Sequence, residues 1–196
     1  MRQAEADYWD TVAEATTPDG AVYDNWLKRQ MLAQFLLKCQ WSGQKVLEIG
    51  VGNGVSAATL ALSCGRMWEY IGTDLSPKFV TSASERFRLN VVQADVLSLP
   101  KGEFTRILAL DSLEHVRLED RPQGYKEIAG RLSKGGLMFI NMPRNRSLHK
   151  DEFDHGISIR DLVMLEDEGL TLHEYKQYDI QYAKYRRDYA FAVLKK

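Results

Sequence analysis

From Lys45 onward the sequence alternates short apolar runs with amphipathic segments, and few folds accept that rhythm. KVLEIG, WEYIGTD, NVVQAD, TRILALD and LMFINMP are each short and apolar, as strands buried on both faces require. SAATLALSCG lies between the first two and reads as a helix of small residues. A second helix opens after the second run, with Ser76 as N-cap and Pro77 in the first turn. RPQGYKEIAGRL precedes the fifth run, and Gly135-Gly136 suits a helix C-terminus followed by a tight turn. Ser158 to Asp161 reads S-x-x-D, a helix start, and that helix should end near Gly169. LTLHEYKQYDI and YRRDYAFAVLKK then read as two strands joined so closely that they must be antiparallel. The expectation is an α/β fold: a mostly parallel seven-stranded sheet with an antiparallel last strand and helices on both faces.

The first forty-odd residues have a different character. AEADYWDTVAEA reads helical, TTPDG interrupts it, and a second helix is expected from about Asp24 to Gln40. At 196 residues the chain should form one domain, a helical cap over 1–43 and an α/β core over 44–196. Lys and Arg number 26 against 27 Asp and Glu, a balance that disfavours a duplex-DNA binder. No apolar run approaches the roughly 20 residues that span a bilayer, and the start lacks a secretory core. With only Cys39 and Cys64, both expected as buried apolar residues, a reducing cytoplasm fits best.

The chemistry concentrates in VLEIGVGNG. A buried strand runs straight into Gly50-Val51-Gly52-Asn53-Gly54 and then into a helix. Glycines there permit a sharp turn and close approach of a ligand, with the helix amides facing it. A dinucleotide fingerprint would need glycine at 55, where Val55 stands, and no GK[ST] follows to cradle phosphates. What remains is E-x-G-x-G-x-G, in Glu48, Gly50, Gly52 and Gly54.

With that motif the sequence resembles the class I S-adenosylmethionine-dependent methyltransferases, from about residue 44 to the end. The resemblance implies a Rossmann-like fold in which Glu48, Gly50, Val51, Gly52 and Gly54 hold the methionine part of the cofactor. Asp74, ending the second strand 24 residues beyond Gly50, would accept from the ribose hydroxyls, with Leu75 beside it. A carboxylate suits a vicinal diol because it presents two acceptors to two donors. Asp95 would read the adenine amino group, with Val96 adjacent. RILALDSLEHV resembles the fourth motif, placing Asp111 beside the sulfonium. Singly, each of these residues reads equally well as a turn or a cap; in order, at successive strand ends, they point to the cofactor. The product would be S-adenosylhomocysteine.

Methyl transfer is an in-line displacement, so alignment contributes about 7–11 kcal/mol and a general base about 10²–10⁴-fold. His115 follows the fourth strand and is the candidate base. It also belongs to D-x-x-E-H, with His155 further on. Asp111, Glu114, His115 and His155 resemble the divalent-metal site of small-RNA 3′-terminal 2′-O-methyltransferases, and E-x-x-E-H in ubiquinone-pathway O-methyltransferases. Asp111 replaces the usual first Glu, and E-H-V recurs in metal-free relatives, so a metal is the lesser alternative. Tyr8, Trp9, Tyr23 and Trp26 are candidates for an aromatic lid, and equally for core packing. Arg144, Arg146 and His149, followed by Lys150, could steer an anionic acceptor, with Lys184, Arg186 and Arg187 near the end as a second group.

The reading is therefore methyl transfer to oxygen or nitrogen of a small polar or anionic acceptor. An RNA methyltransferase and a non-catalytic cofactor-binding subunit are the alternatives. RNA would call for a basic strip interleaved with aromatics, which the charge balance weighs against.

Overall fold

The computed structural model describes residues 3–15, 36–64, 69–144, 153–182 and 185–196. They fall into two compact units, Met1–Asp95 and Val96–Lys196.

The first unit runs α1 (Gln3–Ala15), β1 (Lys45–Ile49), α2 (Val55–Cys64), β2 (Glu69–Asp74), α3 (Pro77–Phe87) and β3 (Val91–Gln93). Its strands lie in the order β3-β2-β1 and pair in parallel, Glu48 opposite Gly72 and Gly72 opposite Val91. Val46 and Leu47 are fully buried, so β1 has no solvent face and its apolar run is explained. Ser76 caps α3 as expected, its Oγ accepting from Phe79 N–H. The helix expected from Asp24 lies outside the described residues up to Phe35.

The second unit runs β4 (Phe104–Leu110), a single 3-10 turn at Leu113–His115, α4 (Arg121–Arg131), β5 (Leu132–Pro143), α5 (Ile159–Asp167), β6 (Thr171–Tyr182) and β7 (Tyr185–Lys195). Its strand order is β4-β5-β7-β6, with β4 and β5 parallel and β7 antiparallel to both neighbours. The seven strands and the antiparallel last one match the expected fold. Met138, Phe139 and Ile140 are consecutive and fully buried; each such side chain contributes about 1.5–3 kcal/mol of transfer free energy. The S-x-x-D segment forms a complete capping box for α5, and Gly169 follows that helix at φ +88°.

Two expectations need correction. Gly135-Gly136 does not end a helix: α4 stops at Arg131 and both glycines lie inside β5. Gly135 takes φ +75°, and a Cβ on Gly136 would stand 2.8 Å from Ser133 O. They shape an irregularity where the β4–β5 register shifts between Phe104 and Arg106. There Gly135 N–H donates to Lys196 O at 2.7 Å. Cys39, expected buried, is partly exposed. No helix among the described residues is long and apolar enough to cross a membrane.

Candidate functional site

The glycine loop leaves β1 through three left-handed residues, Gly50 (φ +72°), Gly52 (φ +52°) and Gly54 (φ +76°). That backbone region penalises a side chain, which accounts for glycine at each position. Gly54 is further required by packing, because a Cβ there would meet Ala83 Cβ and Leu89 Cδ1 at 3.0 Å. Gly52 is different: among the described residues nothing lies within 4 Å of the position its Cβ would take. The loop is therefore packed on one side and open at its middle.

Hydrogen bonds to the end of β2 hold the loop in place. Gly50 N–H and Val51 N–H both donate to Thr73 O at 2.9 Å. Gly52 N–H donates to Asp74 Oδ2 at 2.8 Å, and Ser76 N–H to Asp74 Oδ1 at 3.0 Å. The buried Asp74 carboxylate thus couples the loop to the start of α3. Glu48 is also buried and accepts from Tyr70 O–H at 2.6 Å. Burial first, and the Glu48 carboxylate second, push the Tyr70 phenol well above its ordinary range. Gly72 makes that contact feasible, since a Cβ would stand 2.7 Å from the Tyr70 hydroxyl. Sequence reasoning missed Tyr70. Its signal was available in Y-x-G: the residue two before a strand glycine shares the glycine's face.

Asp95 and Leu75 are half-buried, and Leu75 O accepts from Gln93 Nε2 at 3.0 Å. Val96 is buried in the second unit and its methyls cover Gly124 of α4, where a Cβ would lie 2.9 Å from each. On α1, Tyr8 and Trp9 meet edge to face, centroids 5.0 Å apart. Asp10, which the sequence did not single out, accepts from Ser76 Oγ at 2.5 Å and Lys78 N–H at 3.1 Å. Tyr23, Trp26, Arg146, His149, Lys150 and Lys184 lie outside the described residues, and nothing is described of the side chains of Arg186 and Arg187.

In the second unit Asp111 ends β4 in the left-handed region, φ +55°. Asn141 grips it twice: its O accepts from Asp111 N–H at 3.1 Å, and its Nδ2 donates to Asp111 Oδ1. Tyr178 O–H donates to Asn141 Oδ1 at 2.5 Å and so fixes which way that amide faces. His115 Nδ1 lies 3.3 Å from Phe153 O. A carbonyl only accepts, so Nδ1 carries the hydrogen in this contact, and Nε2 lies 4.0 Å from Glu114 Oε1.

His155 N–H donates to Glu114 O at 2.9 Å, which brings the 153–156 segment to the 3-10 turn. Arg121 secures this arrangement. Its Nη1 pairs with Asp161 Oδ1 at 2.8 Å, Nη2 donates to Gly156 O at 2.5 Å, and Nε to Val116 O at 3.0 Å. Tyr125 O–H also donates to Asp161, and burial, with Asp161 beside it, raises that phenol. The four-residue metal set, the lesser alternative in the sequence, is not assembled: no three His, Cys, Asp or Glu among the described residues group to hold a metal ion. The Asp111 carboxylate is held by Asn141, and His115 Nδ1 faces a carbonyl. Arg144 is exposed, its N–H bonded to Asp188 O at 2.8 Å.

Comparison with known proteins adds independent findings. Residues 46–136 match the family model described as a methyltransferase domain. A "Probable S-adenosylmethionine-dependent methyltransferase" of Mycobacterium tuberculosis is 27% identical over 133 residues, covering 66% of this chain and 47% of that protein. A methyltransferase of Streptomyces halstedii, GfsG, is 33% identical over 108 residues, covering 50% of this chain and 37% of the relative. The chain thus spans about half the length, or less, of these relatives.

Among solved structures, the N-methyltransferase NodS of Bradyrhizobium japonicum, in complex with S-adenosylhomocysteine, superposes with TM-score 0.73 at 20% identity. It covers 95% of this chain and 97% of its own. Magnesium protoporphyrin IX methyltransferase of Synechocystis, with S-adenosylmethionine bound, gives 0.69 at 17% identity over 97% and 95% of the two chains.

Proposed function

We propose that this chain is a class I S-adenosylmethionine-dependent methyltransferase, as the methyltransferase-domain match over residues 46–136 and the similar methyltransferases support, and that it transfers a methyl group from S-adenosylmethionine to an oxygen or nitrogen of a small polar or anionic acceptor. The observation that carries the cofactor half is the glycine loop pinned to Asp74, with Gly52 open at its centre. An open left-handed glycine serves many turns, as Gly43 and Gly169 do; here its N–H is also tied to a buried carboxylate at a strand end, which supports the cofactor reading. The cofactor, when bound, supplies an activated methyl group on a sulfonium sulfur. Gly50, Val51, Gly52 and Gly54 would hold its methionine part, as Glu48 keeps the loop's approach strand in register through Tyr70. A carboxylate can accept about four hydrogen bonds, so Asp74 can serve Gly52, Ser76 and a ribose diol together. Asp95, with Leu75 and Val96, would border the adenine.

In the second unit, Asp111 is held by Asn141, and His115, whose Nε2 lies 4.0 Å from Glu114 Oε1, would take the acceptor's proton. Arg144 is exposed and would favour an acceptor bearing negative charge. A small-molecule acceptor is also in keeping with magnesium protoporphyrin IX methyltransferase, an enzyme of the same fold named for a small acceptor. Isothermal titration with S-adenosylmethionine and S-adenosylhomocysteine tests the cofactor reading, and micromolar binding of both is expected. No measurable affinity for either would overturn it. Transfer of labelled methyl to small acceptors, and none to RNA, would establish the acceptor class.

A further inference from the structure

Tyr8, Trp9, Val12 and Ala13 of α1 are half-buried. Of its thirteen residues only Glu5 and Ala6 are buried, and a helix so short is marginal in water by itself. A cleft of about 210 Å³, lined in part by Ala13, Glu14, Asn53, Phe79 and Arg86, separates its C-terminal half from α3 and the glycine loop. The polar attachment of α1 falls at the start of α3. Asp10 Oδ1 accepts from Ser76 Oγ and from Lys78 N–H, and Glu14 pairs with Lys78 Nζ at the exposed margin. A helix start leaves its first N–H groups without intrahelical partners and favours negative charge. In α3 those groups are shared between two residues: Ser76 Oγ takes Phe79 N–H, and Asp10 takes Lys78 N–H.

Ser76 is fully buried, and its own N–H goes to Asp74 Oδ1. The other oxygen of Asp74 takes Gly52 N–H. A continuous hydrogen-bonded path therefore runs from Asp10 through Ser76 and Asp74 to the middle of the glycine loop. We infer that Asp10 is a positioning residue: it fixes Ser76, hence the Asp74 carboxylate, and couples the docking of α1 to cofactor binding. The inference rests on the reading that Asp74 and the loop hold the cofactor. Coupling of this kind is reciprocal, so the bound cofactor must also hold α1 in place.

Calorimetry with S-adenosylhomocysteine, beside hydrogen exchange of residues 3–15 with and without it, tests this. Asp10→Ala should weaken binding by about fivefold or more, and Asp10→Asn should recover part of the loss because its amide oxygen accepts the same two donors. Asp7→Ala, which removes a charge from the exposed side of α1, should bind as the unmodified chain does. The ligand should slow exchange along α1 in the unmodified chain and fail to do so in Asp10→Ala.

Equal affinity of Asp10→Ala and the unmodified chain, with only a lower melting temperature, would overturn the inference and leave the cofactor reading standing. An unmodified chain that does not bind would overturn both. Should Asp10→Ala not fold, unaltered exchange of α1 on ligand addition to the unmodified chain decides against the coupling.

Discussion

Two buried carboxylates, Asp74 and Asp161, stand at comparable depth, and their partners could hardly differ more. Asp74 accepts from two backbone N–H groups, one of them on an open glycine loop. Asp161 faces the Arg121 guanidinium, the Tyr125 hydroxyl and Ser158 N–H, and Arg121 in turn is surrounded by carbonyls of Val116, Glu114 and Gly156. The second network closes on itself: its charge is neutralised and its donors face protein acceptors. The first reaches Gly52, where among the described residues nothing lies within 4 Å of the position a Cβ would take. Burial and hydrogen bonding alone therefore do not distinguish Asp161 from Asp74, the residue proposed to read the cofactor. What distinguishes them is whether the partners leave an open approach.

The largest expected effect breaks the closed network. Asp161→Ala leaves Arg121, itself only 4% exposed, without its counter-charge, and removing one partner of a buried ion pair costs about 3–5 kcal/mol. Urea unfolding should show that loss, while the molecules that remain folded keep their affinity for S-adenosylhomocysteine. Asp74→Ala should give the opposite pattern. Its two lost backbone bonds should lower stability by about 1–3 kcal/mol. Affinity should fall further, on the order of 10- to 100-fold, from losing charge-assisted bonds both to the loop and to the ligand. The contrast fails if Asp74→Ala proves the more damaging to stability, or if folded Asp161→Ala no longer binds.

How much of this was legible in the sequence follows the distance between partners. β1, β2, β4 and most of β5 were readable because strands buried on both faces leave continuous apolar runs. The loop was readable because φ values of +52° to +76° at positions 50, 52 and 54 require glycine. Asp74 was singled out through the family resemblance, at the end of the second strand, and its bond to the loop was not. Gly135-Gly136 was misread because a glycine following a helix and one inside an irregular strand look alike locally. Tyr70–Glu48, Asp10–Ser76 and Arg121–Asp161 bridge 22, 66 and 40 residues. No local pattern marks such pairs; the fold creates them. Asp161 shows the limit most plainly, since its capping role was visible in S-x-x-D and its ion pair was not.

The two networks should also differ from the rest of the chain in alkaline solution. Burial raises Tyr70 and Tyr125, with Glu48 and Asp161 as the neighbouring charges. The folded chain keeps both phenolic protons where the unfolded chain, near pKa 10, releases them. This contribution to stability is complete below about pH 10 and declines as pH rises beyond it. Tyr70→Phe and Tyr125→Phe should each cost about 0.5–1.5 kcal/mol at neutral pH and flatten the alkaline decline. Unfolding midpoints between pH 7 and 11 check this. A decline equally steep in the double variant would assign it to other groups.

Arg144 carries the smallest expected effect on stability and the sharpest information on the acceptor. Its side chain is exposed, and its backbone N–H keeps its bond to Asp188 O whatever the side chain. Arg144→Ala should therefore change stability by less than about 0.5 kcal/mol. If the residue draws in an anionic acceptor, KM should rise for carboxylate-bearing acceptors, stay level for neutral ones, and rise less as salt screens the charge. Asp74→Ala would impair transfer to every acceptor alike, because it acts on the methyl donor. Set beside each other in one panel of labelled-methyl assays, the two variants separate donor binding from acceptor choice. An Arg144→Ala enzyme with unchanged KM for both acceptor types would remove the residue from acceptor recognition and leave the donor site as it stands.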